Sequence, residues 1–123
     1  MTQNWREDQP IYRQIRDRII DGILEGTFKE GEALPSVRTV AVELQVNPLT
    51  VSKAYQELQQ AGVAEPRRGL GLFVMPGARR QLQSAERENF LSKEWPEIAA
   101  RIRRLGLSLE DLLEAEGTQG GEQ

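Results

Sequence analysis

The chain has 123 residues, with 16 Lys and Arg against 19 Asp and Glu, a formal charge of −3, and neither His nor Cys. That length supports one domain, or a small domain with an appended arm, and not two full cores. Without His and Cys the sequence has no means to build a zinc finger, a thiol nucleophile, an imidazole base, an iron–sulfur cluster or a disulfide.

A first helix is predicted from Pro10, because proline suits a helix start where its missing N–H has no partner to lose. Ile11, Ile15, Ile19 and Ile23 recur every fourth residue, flanked by Tyr12, Ile20 and Leu24, and form one apolar stripe. Gly26 is the expected C-terminal cap, and Thr27 to Leu34 reads as a loop. A second, short helix opens at Pro35-Ser36 with Ser36 as N-cap, and Val37, Val40, Ala41 and Leu44 fall on one face. Gln45, Val46 and Asn47 then form a turn, Asn47 capping a third helix with Pro48 in its first turn. Val51, Ala54, Tyr55 and Leu58 give that helix its buried stripe, and Gly62 ends it.

The period then changes. Val63–Pro66 and Leu72–Met75 flank Arg67-Arg68-Gly69-Leu70-Gly71, which reads as a β-hairpin with a basic, glycine-rich tip and with Pro66 restricted to an edge. Pro76-Gly77 marks a boundary. From Ala78 to Arg104 the chain is predicted helical, with Pro96 either kinking that helix or starting a new one. Gly106 ends it, and Ser108 caps a last helix carrying Leu109, Leu112 and Leu113. Residues 117–123 read as a disordered tail. The expected fold class is therefore mainly α with a small β-hairpin: a winged helix-turn-helix domain over residues 1–76, then a short helical dimerisation region over 77–116.

Charge follows the same division. Between Ser36 and Arg80 the cations Arg38, Lys53, Arg67, Arg68, Arg79 and Arg80 outnumber Glu43, Glu57 and Glu65. Beyond Leu105 there are acids and no Lys or Arg. A basic middle is an electrostatic footprint for nucleic acid in spite of the acidic total. With Val51 at the centre of the buried stripe, Leu49, Lys53, Gln56 and Gln60 point the opposite way, with Ser52 on the flank and no carboxylate near the centre. Such a face suits a major groove lined with donors, acceptors and thymine methyls. Glu57 is expected to face away from the duplex. Asn47 and Thr50 at the helix start offer amides to a phosphate, Arg38 lies on the helix that crosses the backbone, and Arg67 and Arg68 can enter a minor groove or clamp a phosphate. Lys53 is expected to influence base preference. Tyr55 and Phe73 read as core residues, and Glu110-Asp111 as a solvated face rather than an acid/base pair.

Leu34-Pro35-Ser36-Val37-Arg38, Val46-Asn47-Pro48-Leu49-Thr50-Val51-Ser52-Lys53-Ala54-Tyr55, Leu58, Gly62 and Arg68-Gly69-Leu70-Gly71-Leu72-Phe73-Val74 resemble the DNA-binding domain of GntR-family transcription regulators. Pro10-Ile11-Tyr12-Arg13-Gln14-Ile15 resembles that family's first helix, so the likeness runs from Pro10 to Val74. The Asn47-Pro48 pair and the short C-terminal region resemble the YtrA-like subgroup, whose members commonly sit beside ABC-transporter genes. The resemblance implies a dimeric regulator, most simply a repressor, on a palindromic operator of double-stranded DNA. It carries DNA contacts to Arg38, to Asn47 through Lys53, and to Arg68 and Gly69. Other branches place Arg where Pro48 and Ser52 stand here, so base specificity does not transfer.

The expected DNA-binding set is Ser36, Arg38, Asn47, Pro48, Leu49, Thr50, Ser52, Lys53, Gln56, Arg67, Arg68 and Gly69. The helices after Gly77 have too little core to stand alone, and Leu82, Phe90, Leu91, Trp95, Ile98, Ile102 and Leu105 are expected to pack against a second copy. The competing reading is a winged-helix protein–protein module that leaves DNA alone and uses Leu49 against a partner. No enzyme signature is present, no metal or other cofactor is implied, and the sequence specifies no small-molecule effector. No apolar run spans a bilayer, and the polar, acidic start is unlike a signal peptide, so the expected location is the cytoplasm.

Overall fold

The computed structural model describes residues 5–120. Helix α1 spans Ile11–Glu25, with Pro10 at the N-cap position and Gly26 as its C-cap. Ile15, Ile19 and Ile23 are buried, while Ile11 at the open end of the stripe is exposed. Helix α2 spans Val37–Leu44, and the Ser36 hydroxyl accepts from the Thr39 amide. Helix α3 spans Pro48–Gln60, and the Asn47 side-chain oxygen accepts from the Leu49 amide. Both caps satisfy an amide that a helix start leaves unpaired. Gln45, in the turn between α2 and α3, has φ of 56°. It is the one non-glycine residue with positive φ among those described, and its amide closes α2 on the Ala41 and Val42 carbonyls.

The three helices share one core with the hairpin. Ile15 and Ile23 of α1, Val51 and Leu58 of α3, and Val63 and Val74 are almost fully enclosed. Strands β1 (Ala64–Arg67) and β2 (Gly71–Val74) pair antiparallel, with Ala64 opposite Val74 and Arg67 opposite Gly71. The loop before α2 adds to the other side of β2: the amides of Gly31 and Leu34 donate to the Val74 and Leu72 carbonyls, and Val74 donates back to Glu32. Pro66 therefore lies on the outer strand, where its missing N–H interrupts no further ladder.

The core extends past the turn at Pro76-Gly77. Helix α4 spans Ala78–Asn89, and Ala78 and Leu82 are buried with the residues of α1 to β2. Four hydrogen bonds fix its first turn. The Glu30 carboxylate accepts from the Gly77 and Arg79 amides at 2.9 and 3.1 Å. Arg79 Nε donates to the Leu24 carbonyl, and Gln81 donates to the Ala61 carbonyl. Chiefly through these two amides, the Glu30 carboxyl is held below its usual range. The first compact unit accordingly reaches Ser84, and the second begins at Ala85. Leu82, expected in the dimerisation region, belongs to the core of the first unit.

In the second unit a π-helical turn, Phe90–Glu94, joins α4 to α5, Trp95–Leu105. Pro96 supplies the cause. It has no N–H for the carbonyl four residues back, and its ring crowds that carbonyl, so the preceding turn widens. The Trp95 amide accordingly reaches the Phe90 carbonyl. Helix α6 spans Leu109–Gly120 and opens with a reciprocal box: Asp111 N–H donates to the Ser108 hydroxyl, and Ser108 N–H donates to the Asp111 carboxylate. Asp111 is thus a capping group, with its carboxyl held low by Ser108. Once nucleated by this box, each added residue gains a hydrogen bond, and α6 continues through Gly117 to Gly120, where the sequence predicts a disordered tail. The rest of that tail, 121–123, lies outside the described residues. No helix among the described residues is long and apolar enough to cross a membrane.

Candidate nucleic-acid interface

Helix α3 is held from two sides. Its stripe of Val51, Ala54, Tyr55 and Leu58 is buried, Tyr55 and Leu58 at 5% and 1% exposure. The Tyr55 hydroxyl donates to the Pro35 carbonyl at 2.6 Å, which ties α3 to the start of α2, and burial pushes its pKa up to about 12. On the α1 side, Arg16 binds the Glu57 carboxylate at 2.7 Å. The acid on α3 is thereby turned to α1, as its position in the helix suggests, and away from the exposed face.

That exposed face carries Leu49, Lys53 and Gln56, with Thr50 and Ser52 half-buried at its borders. Leu49 is 77% exposed at the first turn. An apolar side chain held in water there is the kind that packs on a thymine methyl. The face divides into two flanks. Towards the hairpin, Ser52, Gln56 and Gln59 line a cleft of about 600 Å³ whose other walls are the Pro35–Val37 stretch and the hairpin tip, Arg67 to Gly71. Towards α1, Leu49, Thr50 and Lys53 meet Ile11 and Tyr12 around a shallower depression.

The tip is shaped by Gly69 and Gly71, whose φ values of 75° and 110° favour glycine. Their missing side chains also let the backbone approach a sugar–phosphate strand. The two arginines differ. Arg67 lies 4.2 Å over the Phe73 ring and 3.8 Å from the Glu65 carboxylate, so it stiffens the hairpin. Phe73, expected in the core, is half-buried beneath it. Arg68 is exposed and has no such contact among the described residues, which leaves its charge uncommitted at the tip. Arg38 is exposed on the first turn of α2.

Of the twelve residues expected on DNA, the cleft brings together Ser36, Ser52, Gln56, Arg67, Arg68 and Gly69. Leu49, Thr50 and Lys53 gather at the depression, while Arg38, Asn47 and Pro48 line neither. Ser36 and Asn47 spend an oxygen on helix capping. Sequence reasoning missed Gln59, which sits one turn beyond Gln56 and was within reach of the same helical count. It also missed Leu70, 69% exposed at the tip. No carboxylate lines the cleft, and two guanidinium groups do. A concave, cationic surface with amide and hydroxyl groups on one wall is suited to a phosphate strand and to the hydrogen-bonding edges of bases.

A short turn between two helices, the second helix exposed, and a basic hairpin beside it define a winged helix-turn-helix DNA-binding protein. Residues 11–74 match the model of the bacterial regulatory proteins of the gntR family, and the chain belongs to that family. It is a DNA-binding transcription regulator and not an enzyme. It is 34% identical over 124 residues to the HTH-type transcriptional regulator YhcF of Bacillus subtilis, covering 98% of this chain and 100% of that one. It is 35% identical over 109 residues to the HTH-type transcriptional repressor YtrA of the same organism, covering 89% of this chain and 83% of that one. Among solved structures, a GntR family transcriptional regulator from Listeria monocytogenes superposes with a TM-score of 0.72 at 28% identity, over 93% of this chain and 98% of that one. These likenesses agree with the YtrA-like features of the sequence and favour DNA binding over a winged-helix protein–protein module.

Proposed function

We propose that the protein is a homodimeric repressor, acting in the cytoplasm, that occupies a palindromic operator and blocks transcription from it. The observation that carries this reading is the state of the second unit. Among its described residues from Ala85 to Gly117 no side chain is fully buried, and Phe90, Leu91, Trp95, Ile98 and Leu105 are all exposed. Trp95, Ile98, Ile102 and Leu105 recur on one face of α5, with the Phe90 ring 6.4 Å from that of Trp95. A continuous apolar row of this kind is covered when an identical row packs against it, the isologous solution that makes two-fold dimers the commonest oligomers.

A two-fold protein reads a two-fold site. Each α3 enters a major groove with its first turn towards the bases, each hairpin tip reaches the neighbouring backbone or minor groove, and a bound dimer excludes polymerase. The relative named a repressor supports the sign of regulation, and the YtrA-like resemblance supports transporter genes as the targets. Selection of bound duplexes from a random pool tests the proposal. The expected product is an inverted repeat with half-site centres about 34–36 Å apart, or a multiple of that spacing. A single, unrepeated half-site in the selected pool would overturn the dimeric reading.

A further inference from the structure

We propose that Tyr12 of α1 is a positioning residue for DNA binding: its ring holds the Lys53 ammonium on the α1 flank of the recognition helix, where Lys53 binds the DNA backbone and does not read a base. The inference rests on α3 entering the major groove as proposed above. Lys53 Nζ lies 4.2 Å from the centroid of the Tyr12 ring. A cation over an aromatic face at that distance is attracted by the ring's quadrupole. The Arg13 guanidinium stands 5.8 Å from the same ring, so one tyrosine gathers two cations at the junction of α1 and α3. Ile11, Leu49 and Thr50 complete the depression, which no carboxylate lines.

Two further facts explain why Lys53 takes this place. Glu57, one helical turn on, would be its natural ionic partner, but that carboxylate is held by Arg16 at 2.7 Å. The opposite flank is occupied by groups better suited to base edges: Ser52, Gln56 and Gln59 line the cleft beside the hairpin. Glutamine can pair in bidentate fashion with adenine, whereas an ammonium is a compact point charge suited to a phosphate oxygen. A helix lying in a groove turns its centre to the bases and its flanks to the backbones. The side on which Tyr12 holds Lys53 thus decides what Lys53 touches.

The test uses the full chain with the duplex obtained by selection and a scrambled duplex of equal length, with affinities followed by fluorescence anisotropy from 50 to 200 mM salt (about a fourfold range, enough to define a slope). Binding of the parent chain to the selected duplex checks the groove-entry reading separately. Lys53→Ala is expected to weaken both duplexes by the same factor and to flatten the salt slope by about one per half-site. Tyr12→Leu is expected to weaken both about two- to fivefold, Tyr12→Phe to bind as the parent chain does because the ring is kept, and the double variant Tyr12→Leu, Lys53→Ala to bind no more weakly than Lys53→Ala alone. A changed base preference in Lys53→Ala overturns the proposal, as does parental affinity in Tyr12→Leu or strict additivity in the double variant. Should Tyr12→Leu melt before the assay temperature, the base preference of Lys53→Ala decides alone.

Discussion

A Trp95→Asp, Ile98→Asp double variant is expected to sediment as a monomer and to bind the selected duplex about 10²–10⁴-fold more weakly than the parent chain. Trp95 and Ile98 are 42% and 37% exposed and share one face of α5 with Ile102 and Leu105. Carboxylates placed in the middle of a paired apolar row would be desolvated without partners, which such an interface does not tolerate. The loss on DNA is large although neither residue is expected to touch it, because two linked reading heads bind with the second engagement intramolecular. The first unit should remain folded, since no residue of α5 is among its buried core, and a cooperative thermal melt followed by circular dichroism should persist. Sedimentation velocity and anisotropy on one preparation check both halves of the expectation.

Ile15→Ala is expected to destabilise the first unit by about 2–5 kcal/mol, the range for removing a large buried aliphatic side chain from a core that collapses only partly. Ile15 has 0% exposure and sits in the α1 stripe that backs α3. A small domain has only about 5–15 kcal/mol of stability in total. The variant should therefore show a much lower urea midpoint with an unchanged slope. Its DNA affinity at low temperature should fall only in proportion to the unfolded fraction. An unchanged midpoint would mean that α1 does not support the recognition helix.

The local features of the fold were legible because local chemistry sets them. The spacing of Ile15, Ile19 and Ile23, and of Val51, Ala54, Tyr55 and Leu58, places two buried stripes, and Ser36 and Asn47-Pro48 mark two helix starts. The hairpin followed from the change of period around Gly69 and Gly71. What escaped was partnership over distance. Glu30 caps a helix start 47 residues away at Gly77, and nothing near Glu30 signals it. Gln14, buried on α1, ties down Arg6 and Gln9 by accepting from one amide and donating to two carbonyls, an arrangement that depends on how the preceding segment folds back. Leu82 has the spacing of an interface residue and also of a core residue, and helical period alone does not say which surface covers it. The same holds for the candidate site. Exposure of Leu49, Lys53 and Gln56 follows from their angle to Val51, but the division of that face between Tyr12 and the hairpin depends on where α1 and β2 lie. Arg67 and Arg68 are equivalent in sequence and differ in the fold, because alternation along a strand places Arg67 beside Glu65.

The most direct measurement is the affinity of the purified chain for the selected duplex as a function of salt. If the cationic cleft and the exposed face of α3 grip a double helix, log affinity should fall linearly with log salt at about −0.9 per phosphate neutralised, and the Arg38→Ala, Arg68→Ala double variant should give a shallower line. An affinity that does not change between low and high salt, or no binding to any duplex at low salt, would contradict the account.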